Sequence, residues 1–237
     1  MNQDETHPRQ LRRYAMRIVL VGLAFLALAF VVSTKSAAIE PTRGGRLVFE
    51  DLFERADIGS AYRVGEADLG HKAGTWRIDG GRLVASKIHN AALWLKQELP
   101  QRVRIEFTAK AMSDDGDIKA EVFGDGRTHQ SGYILLFGGW KNTVRAIARR
   151  DEHGEDRKND NRCVRNGRRR CVEKGVEYKW TIERTDHIVK WFIDGQLLLT
   201  YPDQHPLTGR HFAFNNWEPD VVFDDLRIYD LTQNATN

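Results

Sequence analysis

The chain has 237 residues, 41% of them hydrophobic and 29% charged, with a formal net charge of +3. That composition is globular and allows a real core, and the length admits one large all-β domain or two small ones. So small a net charge does not imply wholesale nucleic-acid binding.

Arg9, Arg12, Arg13 and Arg17 precede an unbroken apolar run of about 15 residues, Ile18 to Val32. A positive segment before a 7–15-residue apolar one is the pattern of a secretory signal, and Ser36-Ala37-Ala38 offers a cleavage site. The run is shorter than the ~20 residues that cross a bilayer comfortably. Residues 1–38 are therefore read as a signal peptide or, uncleaved, a signal anchor in the membrane, and 39–45 as a linker. Positive charge is retained inside, so the remainder is expected outside the cytoplasm: secreted, periplasmic or membrane-anchored by residues 18–32.

Further on, VRIEFTAKA (103–111) alternates, with Val103, Ile105, Phe107 and Ala109 on one face. Cys163 and Cys171 are the only cysteines. In an oxidising compartment they form a disulfide; no second ligand pair favours a metal site, and CxxC is absent. YKWTIERT (178–185) alternates again, and IVKWFI, Asp194-Gly195 and QLLLTY read as a hairpin. Period-two patterning continues to the end without a long helical period. About a dozen short antiparallel strands imply an all-β sandwich or jelly roll.

LVFEDLFER (47–55), TWRIDGGRLVAS (75–86), YKWTIERTDHIVKWFIDGQLLLTYPD (178–203) and VVFDDLRIYDL (221–231) together resemble the concanavalin A-like lectin/glucanase superfamily, including its laminin G-like branch. SGYILLFGGWKNTVRAIARRDEHG (131–154) looks like a segment of secreted bacterial members of uncharacterised function. The resemblance covers residues 46–232, leaving 233–237 as a tail. It implies an antiparallel jelly roll whose last strand pairs beside its first, on a scaffold hosting lectins, glycan-binding modules, glycosidases and lyases alike.

Trp76, Trp94, Trp180 and Trp191 lie in strand patterns and are expected in the core. Trp140 with Asn142, and Trp217 with Asn216, instead combine a ring for stacking with an amide for hydroxyls, and are the candidate glycan contacts. The glucanase branch uses Glu-x-Asp-x-x-Glu, or a form one residue shorter, because retaining hydrolysis needs two carboxyls about 5–5.5 Å apart. The nearest match, DGDIKAE, puts Asp115, Asp117 and Glu121 on one face by parity but departs in residue type and spacing. The leading expectation is therefore binding without catalysis. A hydrolase or lyase on the same scaffold is the alternative, and a structural or protein-interaction domain at the cell surface is the third reading. A lyase would draw on His129 and Tyr133 with Arg145 or Arg149.

A structural calcium is a further option, with Asp51 and Asp225 near the terminal strands, alongside Glu50 and Asp224, or Asp114 and Asp117 as ligands. Arg165, Arg168, Arg169 and Arg170 lie between the cysteines with no acid among them and suit a polyanion. The expected partner is thus a glycan or polysaccharide, neutral or anionic, and not nucleic acid.

Overall fold

The computed structural model describes residues 38–164, 167 and 170–232. The apolar run 18–32, the tail 233–237, and Arg165, Asn166, Arg168 and Arg169 lie outside the described residues.

Two antiparallel sheets make the sandwich. Sheet A contains β1 (Arg46–Asp51), β3 (Thr75–Asp79), β4 (Arg82–Ser86), β6 (Val103–Ala111), β11 (Glu177–Thr185), β12 (Ile188–Ile193), β13 (Gln196–Pro202) and β15 (Val221–Asp230). Its order is β13-β12-β11-β6-β15-β4-β3, and β1 pairs β15. Sheet B contains β2 (Tyr62–Val64), β5 (Leu93–Leu95), β7 (Ile118–Gly124), β8 (Tyr133–Gly138), β9 (Val144–Arg149), β10 (Arg157–Asp160) and β14 (His211–Asn216), in the order β10-β9-β8-β7-β14-β5-β2.

The alternation read in the sequence becomes sidedness. Ile105, Phe107, Trp180 and Ile182 from sheet A meet Ile118, Ala120, Val122, Phe212 and Phe214 from sheet B in one core cluster. Phe107 stacks on Trp180 with centroids 5.1 Å apart and meets Phe214 edge-on at 5.2 Å. Each such ring fully withdrawn from water contributes roughly 1.5–3 kcal/mol. The closing strand pairs beside the first, Arg46 opposite Asp230. β4 and β1 share one edge of β15, and a register irregularity between Asp224 and Arg227, with Asp225 at φ 57°, separates them. Asp194 and Gly195, both at positive φ, make the tight turn expected between β12 and β13.

Residues 39–45 are not a free linker. The Thr42 backbone N–H and hydroxyl both donate to the Glu183 carboxylate, and the Arg104 guanidinium donates to the carbonyls of Thr42 and Gly44. Arg104 on β6 and Glu183 on β11 point away from the core, so the segment is strapped across the outer face of sheet A.

Candidate functional site

The outer face of sheet B carries the site. On β7, Ile118, Ala120 and Val122 enter the core, so Lys119 and Glu121 must point the other way. Lys119 lies opposite Asn215 on one side and Leu136 on the other. The same outer face is apolar at Ile134, Leu136, Ala146 and Ala148, and at Trp94 with Ala92 and Ala213.

Loops then build a cavity of about 700 Å³ at the start of β7. Its floor is Asp117, Lys119 and Leu136, and its walls include Trp140 and Trp217. Around them stand Asp68, Asn90, Asp115, Lys141, Glu152 and Glu218. Lys119 is 2% exposed at its side chain, and its Nζ lies 3.0 Å from Asn90 Oδ1, 3.0 Å from Glu152 Oε2 and 3.6 Å from Asp117 Oδ1. The ammonium donates to Glu152 Oε1 at 3.2 Å, and its contact with Oε2 is an ion pair without hydrogen-bond alignment. Burial disfavours the ammonium, but the facing charges of Asp117 and Glu152 outweigh it and hold the Lys119 pKa above its ordinary value. Burial likewise opposes the Glu152 carboxylate, yet Lys119 keeps that group below the usual range. Asp117 goes the other way: desolvation, reinforced by Glu152 and only partly offset by Lys119, pushes it up to about 6.

A second pair lies deeper. Glu121 is fully buried; His129 Nδ1 is 2.7 Å from its Oε1, the Asn215 amide donates to the same oxygen at 2.8 Å, and the Gln130 N–H donates to Oε2. Burial lowers the His129 pKa, but the Glu121 carboxylate dominates and raises it. The loop that carries His129 is shaped by Asp125, whose carboxylate accepts from the N–H groups of Arg127 and Thr128. Neither Glu121 nor His129 lines the cavity.

Trp140 sits on a left-handed turn, Gly139–Asn142, in which Trp140, Lys141 and Asn142 all have positive φ. The residue is 37% exposed, and its ring meets His153 edge-on at 5.5 Å and carries the Arg157 guanidinium over one face at 4.9 Å. Trp217 is half-buried against the rings of His71 and His89, at 4.9 and 5.0 Å.

No protein-family model matches the chain, and no curated protein matches it. Among solved structures, a laminarinase from Flavobacterium sp. UMI-01 aligns with a TM-score of 0.57 at 14% identity, over 78% of this chain and 100% of that one. Bacillus licheniformis β-glucanase aligns at 0.54 and 16% identity, over 79% and 99%. The carbohydrate-binding module CBM66 from Bacillus subtilis aligns at 0.56 and 12%, over 72% and 96%. The fold is the concanavalin A-like jelly roll.

Within this jelly roll the sequence-derived candidates separate. Trp140 and Trp217 share one cavity, with Asp115 and Asp117. Asn142 does not serve it: the side chain is buried, donates to the carbonyls of Asp114 and Val172, and accepts from the N–H groups of Cys171 and Val172. All its capacity is engaged in holding the turn beneath Trp140. Asn216 is also fully buried, and its amide donates to the Pro219 carbonyl. Asp115 is not on a strand face with Glu121, because Gly116 and Asp117 at positive φ break the extended chain before β7 begins. The residues that sequence reasoning missed are Lys119, Glu152, Asn90 and Asp68. Lys119 was within reach, since it stands midway between Asp117 and Glu121 on the same parity.

The lyase set does not reach the cavity, which none of His129, Tyr133, Arg145 and Arg149 lines. Tyr133 lies in the core and donates to Asp203, while Arg149 pairs with Asp203 and Arg145 with Asp160. The calcium candidates are engaged as well. Asp51 pairs with Arg55 and accepts from Tyr62, Asp225 and Glu50 both pair with Arg227, and Asp224 meets Arg82. Asp114 pairs with Arg170. Among the described residues no group of three or more His, Cys, Asp and Glu side chains is arranged to hold a metal ion. Cys163 and Cys171 form a disulfide, buried beside the Asn142 turn. Of the four arginines between them only Arg170 is described.

Proposed function

We propose that this jelly roll binds a saccharide in the sheet B cavity without cleaving it. The observation that carries the reading is two part-exposed indoles on one cavity with a polar floor. Sugar C–H faces stack on indoles, and hydroxyls need the donors and acceptors that Asn90, Asp68 and Asp115 supply. That similar folds include a laminarinase, a β-glucanase and a carbohydrate-binding module supports a carbohydrate partner. Against cleavage stand the seclusion of Glu121 and the Lys119 ammonium between Asp117 and Glu152, where a retaining pair would need open space for the sugar ring. A glycan array with the purified full chain tests this. Binding to at least one glycan is expected, weakened about tenfold or more in Trp140→Ala and in Trp217→Ala; a blank array removes the reading.

A hydrolase is the second reading, favoured by one observation. Asp117, raised to about 6, and Glu152, held low, are carboxyls pushed apart in pKa, as an acid and its partner are in such enzymes. Reducing-end release from a polysaccharide panel, abolished in Asp117→Asn, would replace binding by catalysis.

The disulfide supports an oxidising compartment. Extracytoplasmic placement, with residues 18–32 as signal or membrane anchor and 46–232 as the working domain, is part of this proposal.

A further inference from the structure

The charge of the cavity is lopsided. Five carboxylates line it, on Asp68, Asp115, Asp117, Glu152 and Glu218, against the two lysines Lys119 and Lys141 and the imidazole of His153. Lys119 is fully engaged by Asp117, Glu152 and Asn90. Lys141 is exposed and stands on a turn at the margin. Asp115 is exposed and has no ion-pair partner among the described residues. Among the described residues the Asp68 carboxylate accepts only from the Asn90 amide, and Glu218 meets His89 at 3.5 Å. The walls add to this field, because the face of an indole attracts a cation as well as a sugar ring. Arg157 lies over one face of Trp140, but it donates to the Glu152 carbonyl and does not line the cavity.

The +3 of the whole chain lies in residues 1–38, with five Lys and Arg against two Asp and Glu, so residues 39–237 carry no net charge. Long-range attraction therefore does not draw a polycation to this protein, and any preference for one must arise inside the cavity. A uronate or sulfated sugar would meet carboxylates at short range with no free cation on the floor to receive it.

We propose that the saccharide held between Trp140 and Trp217 carries a free amine: a hexosamine unit whose nitrogen is not acetylated, its ammonium facing Asp115 and Asp68. This rests on the saccharide-binding reading and narrows it to a substrate class.

Calorimetric titration of the full chain with three oligosaccharides of equal length tests it, using fully deacetylated chito-oligosaccharide, its fully N-acetylated counterpart and an oligouronate. Expected is about tenfold or greater preference for the deacetylated form over the acetylated one, with no heat from the oligouronate. The preference should shrink at high salt and fall several-fold in Asp115→Asn, an exposed turn substitution that leaves the core untouched. Trp217→Ala should weaken saccharide binding about tenfold or more, and tetralysine should not bind, which separates a seated amino sugar from bare charge attraction. Equal affinity for the acetylated and deacetylated forms, or preference for the oligouronate, would overturn the amine assignment and leave saccharide binding standing. Tight binding of tetralysine overturns it too. Silence from all three saccharides would overturn the amine assignment, and saccharide binding itself falls only with a blank glycan array.

Discussion

The outer faces of the two sheets both hold buried charge, and they differ in what covers it. On sheet A, Arg104 pairs with Glu106, and Arg104 and Glu183 also meet the backbone and hydroxyl of residues 42–44 of the same chain. On sheet B, Lys119 is met by Asp117 and Glu152, and that cluster forms part of the lining of an open cavity between two indoles. Burial of a charged side chain therefore does not mark a site by itself. The contrast lies above the charge: the chain's own strap in one case, an open cavity in the other.

The comparison can be broken or sharpened. Lys119→Met should do the most damage, because Asp117 and Glu152 would then face each other unpaired in a desolvated floor. A loss of about 3–5 kcal/mol is expected by urea denaturation at pH 7.5; under 1 kcal/mol would mean that the cluster is wet and that the two faces are alike. Replacing both cysteines by serine should cost roughly 2–3 kcal/mol. It should also weaken saccharide binding, since Asn142 ties the turn of Trp140 to the backbone at Cys171 and Val172. Glu183→Ala removes one of the strap's two anchors, leaving Arg104, at a cost of about 1–2 kcal/mol, with saccharide affinity unchanged; lost affinity would couple the faces. Asp117→Asn should have the smallest effect on stability, and of opposite sign. The raised pKa means that this carboxyl favours the folded state fully below its unfolded value of 3.8, an advantage lost as pH rises through about 6. At pH 7.5 the asparagine variant should be more stable by about 1 kcal/mol, the gain being limited because Lys119 loses one partner. The difference should close towards pH 4, and a variant less stable at pH 7.5 would mean that the ion pair outweighs desolvation.

The fold was legible because most of its strands are long enough to alternate. β6 and β11 declare their inner and outer faces residue by residue, and Asp194-Gly195 marks its turn. The three-residue strands β2 and β5 carry no such pattern. The two cavity tryptophans were found from their turn-rich surroundings, but the partner amides were not, because the left-handed Gly139–Asn142 turn sends the Asn142 side chain inwards. Asp115 was misplaced for a related reason: parity assumes extended backbone, and two successive residues before β7 are left-handed. Glu152, Asn90 and Asp68 come from loops far apart in sequence, and no local pattern says that these loops meet over one strand. Lys119 was passed over because a search for paired carboxyls looks past a lysine between them.

The strap across sheet A also sets a mechanical order. Tension applied through Ala38 towards lower residue numbers reaches Thr42 first, and would peel it from Glu183 and Arg104 one contact at a time. Only then is β1 pulled against β15. Both events belong to sheet A, so the first contacts to part lie outside the strands that frame the cavity, with residues 42–44 as the fuse.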